Sequence, residues 1–93
     1  MIELTTKIVQ TPEILAASVD DETMAMDLES NNYYGMGRVG SHIWELLEQP
    51  LTIVELCSTL QKKFEVDSET CQRDVLPFVQ QLVDEKLVRI VKA

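Results

Sequence analysis

The chain has 93 residues, a mass of 10.6 kDa and a formal charge of −8, from 16 acidic and 8 basic side chains. That length fits one domain, taken here as residues 1–93, and excludes a two-domain enzyme or a large barrel. With 45% apolar and 26% charged residues the composition is that of a folded protein, and the shortage of Lys and Arg argues against binding nucleic acid or an anionic membrane.

The charge is uneven. Residues 1–46 carry eight acids against Lys7 and Arg38, a net of −6, whereas residues 47–93 carry eight acids against six bases, a net of −2. A charged partner of the N-terminal half is therefore expected to be basic. Cys57 and Cys71 are the two cysteines. Met1-Ile2-Glu3-Leu4 has no basic segment leading into an apolar run, so no signal peptide is expected, and no run is long enough to span a membrane. Reduced thiols and a cytoplasmic location follow as expectations. Two cysteines and one histidine make no zinc-ligand set.

Taken in order, Lys7–Gln10 reads as a short extended piece. Ile14–Val19 forms an apolar run after Pro12, and Asp20-Asp21-Glu22 reads as a turn. Met24, Met26 and Leu28 then alternate with Thr23, Ala25 and Asp27, the period of a half-buried strand. Glu29-Ser30-Asn31-Asn32 is turn chemistry, and Tyr33-Tyr34-Gly35-Met36 is strand-prone. A hairpin over 22–36 joined to 14–19 predicts a three-stranded antiparallel sheet.

The second half has helical spacing. Val39, Ile43, Trp44 and Leu47 share one face of a segment that stops before Pro50. Thr52 and Glu55 have capping-box spacing, with Leu51 placed to staple Leu56. Ile53, Leu56, Cys57, Leu60 and Phe64 continue that helix, and Asp67 is the expected cap of a third over 67–86, with Cys71, Val75, Phe78, Val79, Leu82 and Val83 as its stripe. Pro77 removes an interior backbone donor, so the spacing predicts a bend, or two helices split at Leu76. Leu87–Val91 reads as a terminal strand or extended tail. Three strands followed by three helices predict an α+β, winged helix-turn-helix-like domain.

No motif supplies chemistry. His42 has Glu45 one turn on but no nucleophile, and both cysteines fall on apolar helix faces. Asp20-Asp21-Glu22 lacks the spacing of a calcium loop, and Gly35, Gly37 and Gly40 match no phosphate-cradling pattern. No catalytic residue, metal or cofactor is expected, so function falls to surface recognition. One route is DNA binding by a winged-helix regulator, but the third helix offers Gln72 and Arg73 between Glu69 and Asp74, poor electrostatics for a duplex. The other is the strand Asn32–Met36. An edge strand exposes unpaired N–H and C=O groups to which a peptide can add, and Tyr33 and Tyr34 suit a recognition surface.

The stretch from Tyr33-Tyr34-Gly35-Met36-Gly37-Arg38-Val39-Gly40 through Ile43-Trp44-Glu45-Leu46-Leu47 to Pro50 resembles the PqqD family, especially its lasso-peptide-associated branch. The run Phe64 to Phe78, with its Asp74-Val75 step, is similar to that family's third helix, and the likeness covers about residues 14–91. There are two departures: Gly37 stands where the family often has Asn or Asp, and Lys86 where it usually has glycine. The resemblance implies a non-catalytic domain that binds the N-terminal leader of a ribosomally made precursor as an added antiparallel strand between the third strand and third helix. It would then present the precursor to a cysteine-protease-like leader peptidase and an ATP-dependent cyclase. On that reading Asn32, Tyr33, Tyr34, Gly35 and Met36 pair with the leader, Leu76, Val79 and Val83 form apolar walls with the tyrosines, and Gln80 sits at the rim.

Overall fold

The computed structural model describes residues 2–29 and 31–91. Two small sheets and three helices share one core. The strands are β1 (Lys7–Gln10), β2 (Ile14–Val19), β3 (Glu22–Asp27) and β4 (Asn32–Met36). Helix α1 (Arg38–Leu46), strand β5 (Leu51–Thr52), helices α2 (Ile53–Lys63) and α3 (Ser68–Asp84) and strand β6 (Val88–Val91) complete the order.

The predicted hairpin forms, with β3 central in an antiparallel β2-β3-β4 sheet. Ala25 pairs with Ala16 on one side and Tyr34 on the other. Asp20 (φ 58°) and Asn31 (φ 60°) take the left-handed turn positions that Asp and Asn tolerate; Ser30 of the expected turn lies outside the described residues. The apolar alternation faces the unexpected way. Thr23 and Ala25 are buried, whereas Met24 is 50% exposed. Helix α1 packs against β3 and β4, so small residues occupy the inner face of the sheet. The larger Leu15, Val19, Met24 and Tyr33 lie on the solvent side.

A second sheet, ordered β5-β1-β6, ties the start of the chain to its end. Ile8 of β1 is fully buried between Leu51 and Ile90. Gln10 joins this sheet to α1, its amide donating to the Leu47 carbonyl (2.9 Å) and its Nε2 to the Trp44 carbonyl (2.6 Å).

Helix α2 begins where its cap dictates. Thr52 accepts from the Glu55 amide (3.1 Å) and Glu55 Oε1 accepts from the Thr52 amide (2.9 Å), closing the predicted box. The hydrogen bonds from Thr52 hold the Glu55 carboxyl below the usual carboxylate range. Asp67 takes the N-cap position of α3 with extended backbone. Helix α1 starts at Gly37 with no side-chain cap; the Ser41 hydroxyl instead donates to the Met36 carbonyl (3.1 Å), tying the helix to the end of β4.

Helix α3 runs unbroken through Pro77, which overturns the split at Leu76. Pro77 is exposed, and so is Arg73, whose carbonyl loses its donor. Water can reach that carbonyl, so the helix is not forced to end there. At its C-terminus the Lys86 amide donates to Val83 (3.0 Å) and the Leu87 amide to Leu82 (2.9 Å), a Schellman motif with Lys86 at φ 62°. Buried Leu82 and Leu87 supply the apolar contact that usually accompanies it.

Candidate functional site

Strand β4 borders the sheet. Among the described residues it pairs with β3 alone, and Phe78 of α3 and Glu85 just past it come near Met36 and Tyr34. Along it Tyr34 and Met36 turn toward the body of the protein, while Tyr33 and Gly35 turn outward, Tyr33 being 70% exposed. Asn32, Tyr33, Tyr34, Gly35 and Met36 thus form one strand.

On α3, Phe78 and the C-cap Glu85 come near this strand. A Cβ built on Gly40 would meet Phe78 Cζ at 2.9 Å and Met36 Cβ at 3.5 Å, so Phe78 lies over the junction of β4 and α1. One end of β4 is thus opposite Phe78. Tyr34, nearer the other end, feels the Glu85 carboxylate; burial first and that charge second push its hydroxyl above the usual tyrosine value. Residues 78 and 85 stand two helical turns apart on one flank. The slot is bounded by Tyr34 and Met36 on the strand, by Phe78 on α3 and by Glu85 at its C-cap.

The four α3 residues named from the sequence for the leader groove have these surroundings. Val79 is fully buried in the core. Leu76 and Gln80 occupy the opposite flank, where with Pro77 and Ile2 they line a separate apolar hollow. Gln80 Oε1 accepts from the Ile2 amide (3.1 Å) and its Nε2 donates to Asp84 (3.0 Å). Val83 is half-buried and, by helical position, belongs to that flank too. The chain's own N-terminal segment covers this side of α3, with Ile2 only 6% exposed. Helical periodicity marks a stripe but not which neighbour meets each side of it. The signal for Phe78 was Gly40, a gap in α1 that an aromatic ring fills.

The other side chains singled out from the sequence are held in packing contacts. His42 packs edge-on against Phe64 (5.8 Å between centroids), and the nearby Ser41 hydroxyl is committed to Met36. Cys71 Sγ points at the Cys57 carbonyl (3.9 Å). Burial, then the Cys71 thiol, push Cys57 up to about 12, so its reactive thiolate is suppressed. Among the described residues no group of three or more His, Cys, Asp or Glu could hold a metal ion, and no helix is long and apolar enough to cross a membrane.

A family model described as "Coenzyme PQQ synthesis protein D (PqqD)" matches residues 22–88, which span the hairpin and all three helices. A solved structure, "TbiB1 in Complex with the TbiA(beta) Leader Peptide", superposes with a TM-score of 0.82 at 28% identity, covering 91% of this chain and 99% of that one. No curated protein matches the chain.

Proposed function

This chain belongs to the PqqD family, and from that premise we propose that it is a non-catalytic adaptor that binds the leader of a ribosomally synthesised precursor by strand addition to β4. The observation that carries the reading is the open edge of β4 beside α3, in a fold shared with a protein seen in complex with a leader peptide. Backbone groups along Asn32–Met36 supply the pairing. Tyr34, Met36 and Phe78 supply apolar contact, and Glu85 favours a basic leader residue. The 28% identity to TbiB1 supports assignment to lasso-peptide maturation. In that setting the bound precursor passes, in the cytoplasm, to a cysteine-protease-like leader peptidase and an ATP-dependent cyclase. The winged-helix DNA reading gains nothing from α3, whose exposed Arg73 lies between Glu69 and Asp74 and 3.8 Å from the latter.

Calorimetric titration with the leader of the precursor encoded beside this gene tests the proposal. Successive strand amides point to opposite edges, so Tyr34→Pro and Gly35→Pro between them remove one amide from the open edge. One of the two is expected to abolish binding while keeping the native circular dichroism spectrum. Equal affinity for both folded variants overturns strand addition.

A further inference from the structure

The hairpin sheet has a second open edge. Among the described residues β2 pairs with β3 alone, and all of Leu15 to Val19 is exposed. Val19 and Glu22 flank the two-residue Asp20-Asp21 loop, so they exchange both backbone bonds of a hydrogen-bonded pair. By alternation Leu15, Ala17 and Val19 bond to β3, and the backbone groups of Ala16 and Ser18 face outward. The usual edge defences are missing: β2 holds no charge and no proline, and its register with β3 has no bulge. Beneath it a groove of about 430 Å3 opens between the inner face of β2, at Ala16 and Ser18, and the end of α1, at Trp44, Glu45 and, just past the helix, Glu48. A smaller hollow of about 140 Å3 shares Ser18 and Glu45 and continues the groove to Asp20, Asp21 and His42. Asp20, Asp21, Glu45 and Glu48 thus border one trough, against Arg38 and Lys63 in the smaller hollow.

From this geometry we propose that the β2 edge takes an extended segment of a second protein that carries Lys or Arg at alternate positions. An added strand continues the pleat, so every other side chain shares the face of Ala16 and Ser18 and points into the trough. There Glu45 and Glu48 favour a cation and repel an acid. The remaining side chains join Leu15 and Val19 on the solvent face, where β-branched residues pair well across strands. A second copy of this chain fits poorly. Its fullest antiparallel register on β2, centred on Ala17, sets Glu13 of each copy against Asp21 of the other, and β2 brings no cation to the trough. Because β2 and β4 lie on opposite sides of β3, both edges can be occupied at once. The inference is therefore independent of leader binding at β4, and it gives the domain a means of holding a basic partner segment beside a peptide bound there.

The probe is a synthetic peptide of about ten residues in which Lys and Val alternate, titrated calorimetrically into the intact protein. Directly opposed residues share both face and bonding, so the amides of the Lys residues, not those of the Val residues, bond Ala16 and Ser18. N-methylation of the Lys amides is expected to weaken binding at least about tenfold, and N-methylation of the Val amides to leave it unchanged. Ala16→Pro removes an outward amide at an edge position that tolerates proline; it is expected to weaken binding about fivefold with a native circular dichroism spectrum. Glu45→Gln with Glu48→Gln should weaken it about fivefold and flatten its salt dependence. Tyr34→Pro and Gly35→Pro should bind the probe like the parent. No binding, or equal loss from the two N-methylated peptides, overturns the proposal. Loss confined to the β4 variants places the probe on β4 and overturns it while leaving strand addition there standing. Self-association of the protein alone that Ala16→Pro disperses assigns the edge to a second copy and overturns it too.

Discussion

Gly40 of α1 and Phe78 of α3 approach so closely that a methyl group on Gly40 would stand 2.9 Å from Cζ and 3.3 Å from Cε1 of the ring. The contact joins the helix that carries the sheet to the helix that faces its open edge. Gly40→Ala brings two opposed effects. Alanine favours the helix by about 1 kcal/mol, while crowding in a packed region costs about 1–3 kcal/mol. The half-buried ring can relieve the crowding by swinging toward the slot. The expected outcome is a denaturation midpoint close to that of the parent with clearly weaker peptide binding, read by urea titration and calorimetry on the same samples. Parent-like affinity would show that Phe78 does not border the binding slot.

Much of this architecture is written in local signals. Pro50 ends α1, Thr52 and Glu55 open α2, and Asp67 stands at the start of α3. The hairpin of β3 and β4 follows from alternation and turn chemistry. The β5-β1-β6 sheet is harder to read, because its strands are two to four residues long and pair across nearly the whole chain, as Lys7 does with Val91. The outward turn of Met24 depends on α1 covering β3, a tertiary fact that alternation does not carry. The site divides in the same way. The β4 strand was legible from Tyr33 and Tyr34, whereas the surroundings of α3 were not, because Ile2, 78 residues from Gln80, takes the flank that Leu76 and Gln80 share.

Tyr34 reports the state of the slot. Burial is the larger cause of its raised pKa and the Glu85 charge the smaller. With Tyr33→Phe as background, Tyr34 is the one remaining tyrosine. Its ultraviolet titration is expected to lie above the ordinary value of ~10. Glu85→Gln should lower the midpoint without restoring that value, because burial remains. The sign carries over to stability: a neutral phenol favoured by the fold stabilises fully below the unfolded pKa, and that contribution is lost as pH rises through the folded pKa. A midpoint unmoved by Glu85→Gln would separate α3 from β4.

The solvent face of the hairpin sheet puts Leu15, Met26 and Tyr33 in one cross-strand row, with Ala17, Met24 and Gly35 in the next. Leu15 and Met24 are 55% and 50% exposed, so neither holds up the core. Leu15→Thr and Met24→Thr keep strand propensity and net charge. Each is expected to change unfolding free energy by no more than ~0.5 kcal/mol. Together they should reduce binding of a hydrophobic dye to the native protein, since Leu15, Met24 and Tyr33 of that face are exposed and apolar. A loss of several kcal/mol in denaturant titration would mean that the sheet packs by its other face.

Lys86 provides the reverse case, a position where the chain carries strain that a substitution can remove. Its φ of 62° is left-handed, and unlike Asp20 or Asn31 it has no short polar side chain to ease that conformation. A non-glycine residue there costs ~1–2 kcal/mol, while glycine adds back ~0.4–1 kcal/mol of unfolded-chain entropy. Lys86 is exposed, and the interactions that fix the turn are backbone ones: its amide on Val83, the Leu87 amide on Leu82 and its carbonyl accepting the Thr11 hydroxyl (3.0 Å). All three survive a change to glycine. Lys86→Gly is therefore expected to stabilise the protein by about 1 kcal/mol, raising the urea midpoint with no change in its slope. A lower midpoint would mean that the lysine stem contributes packing that offsets the backbone strain.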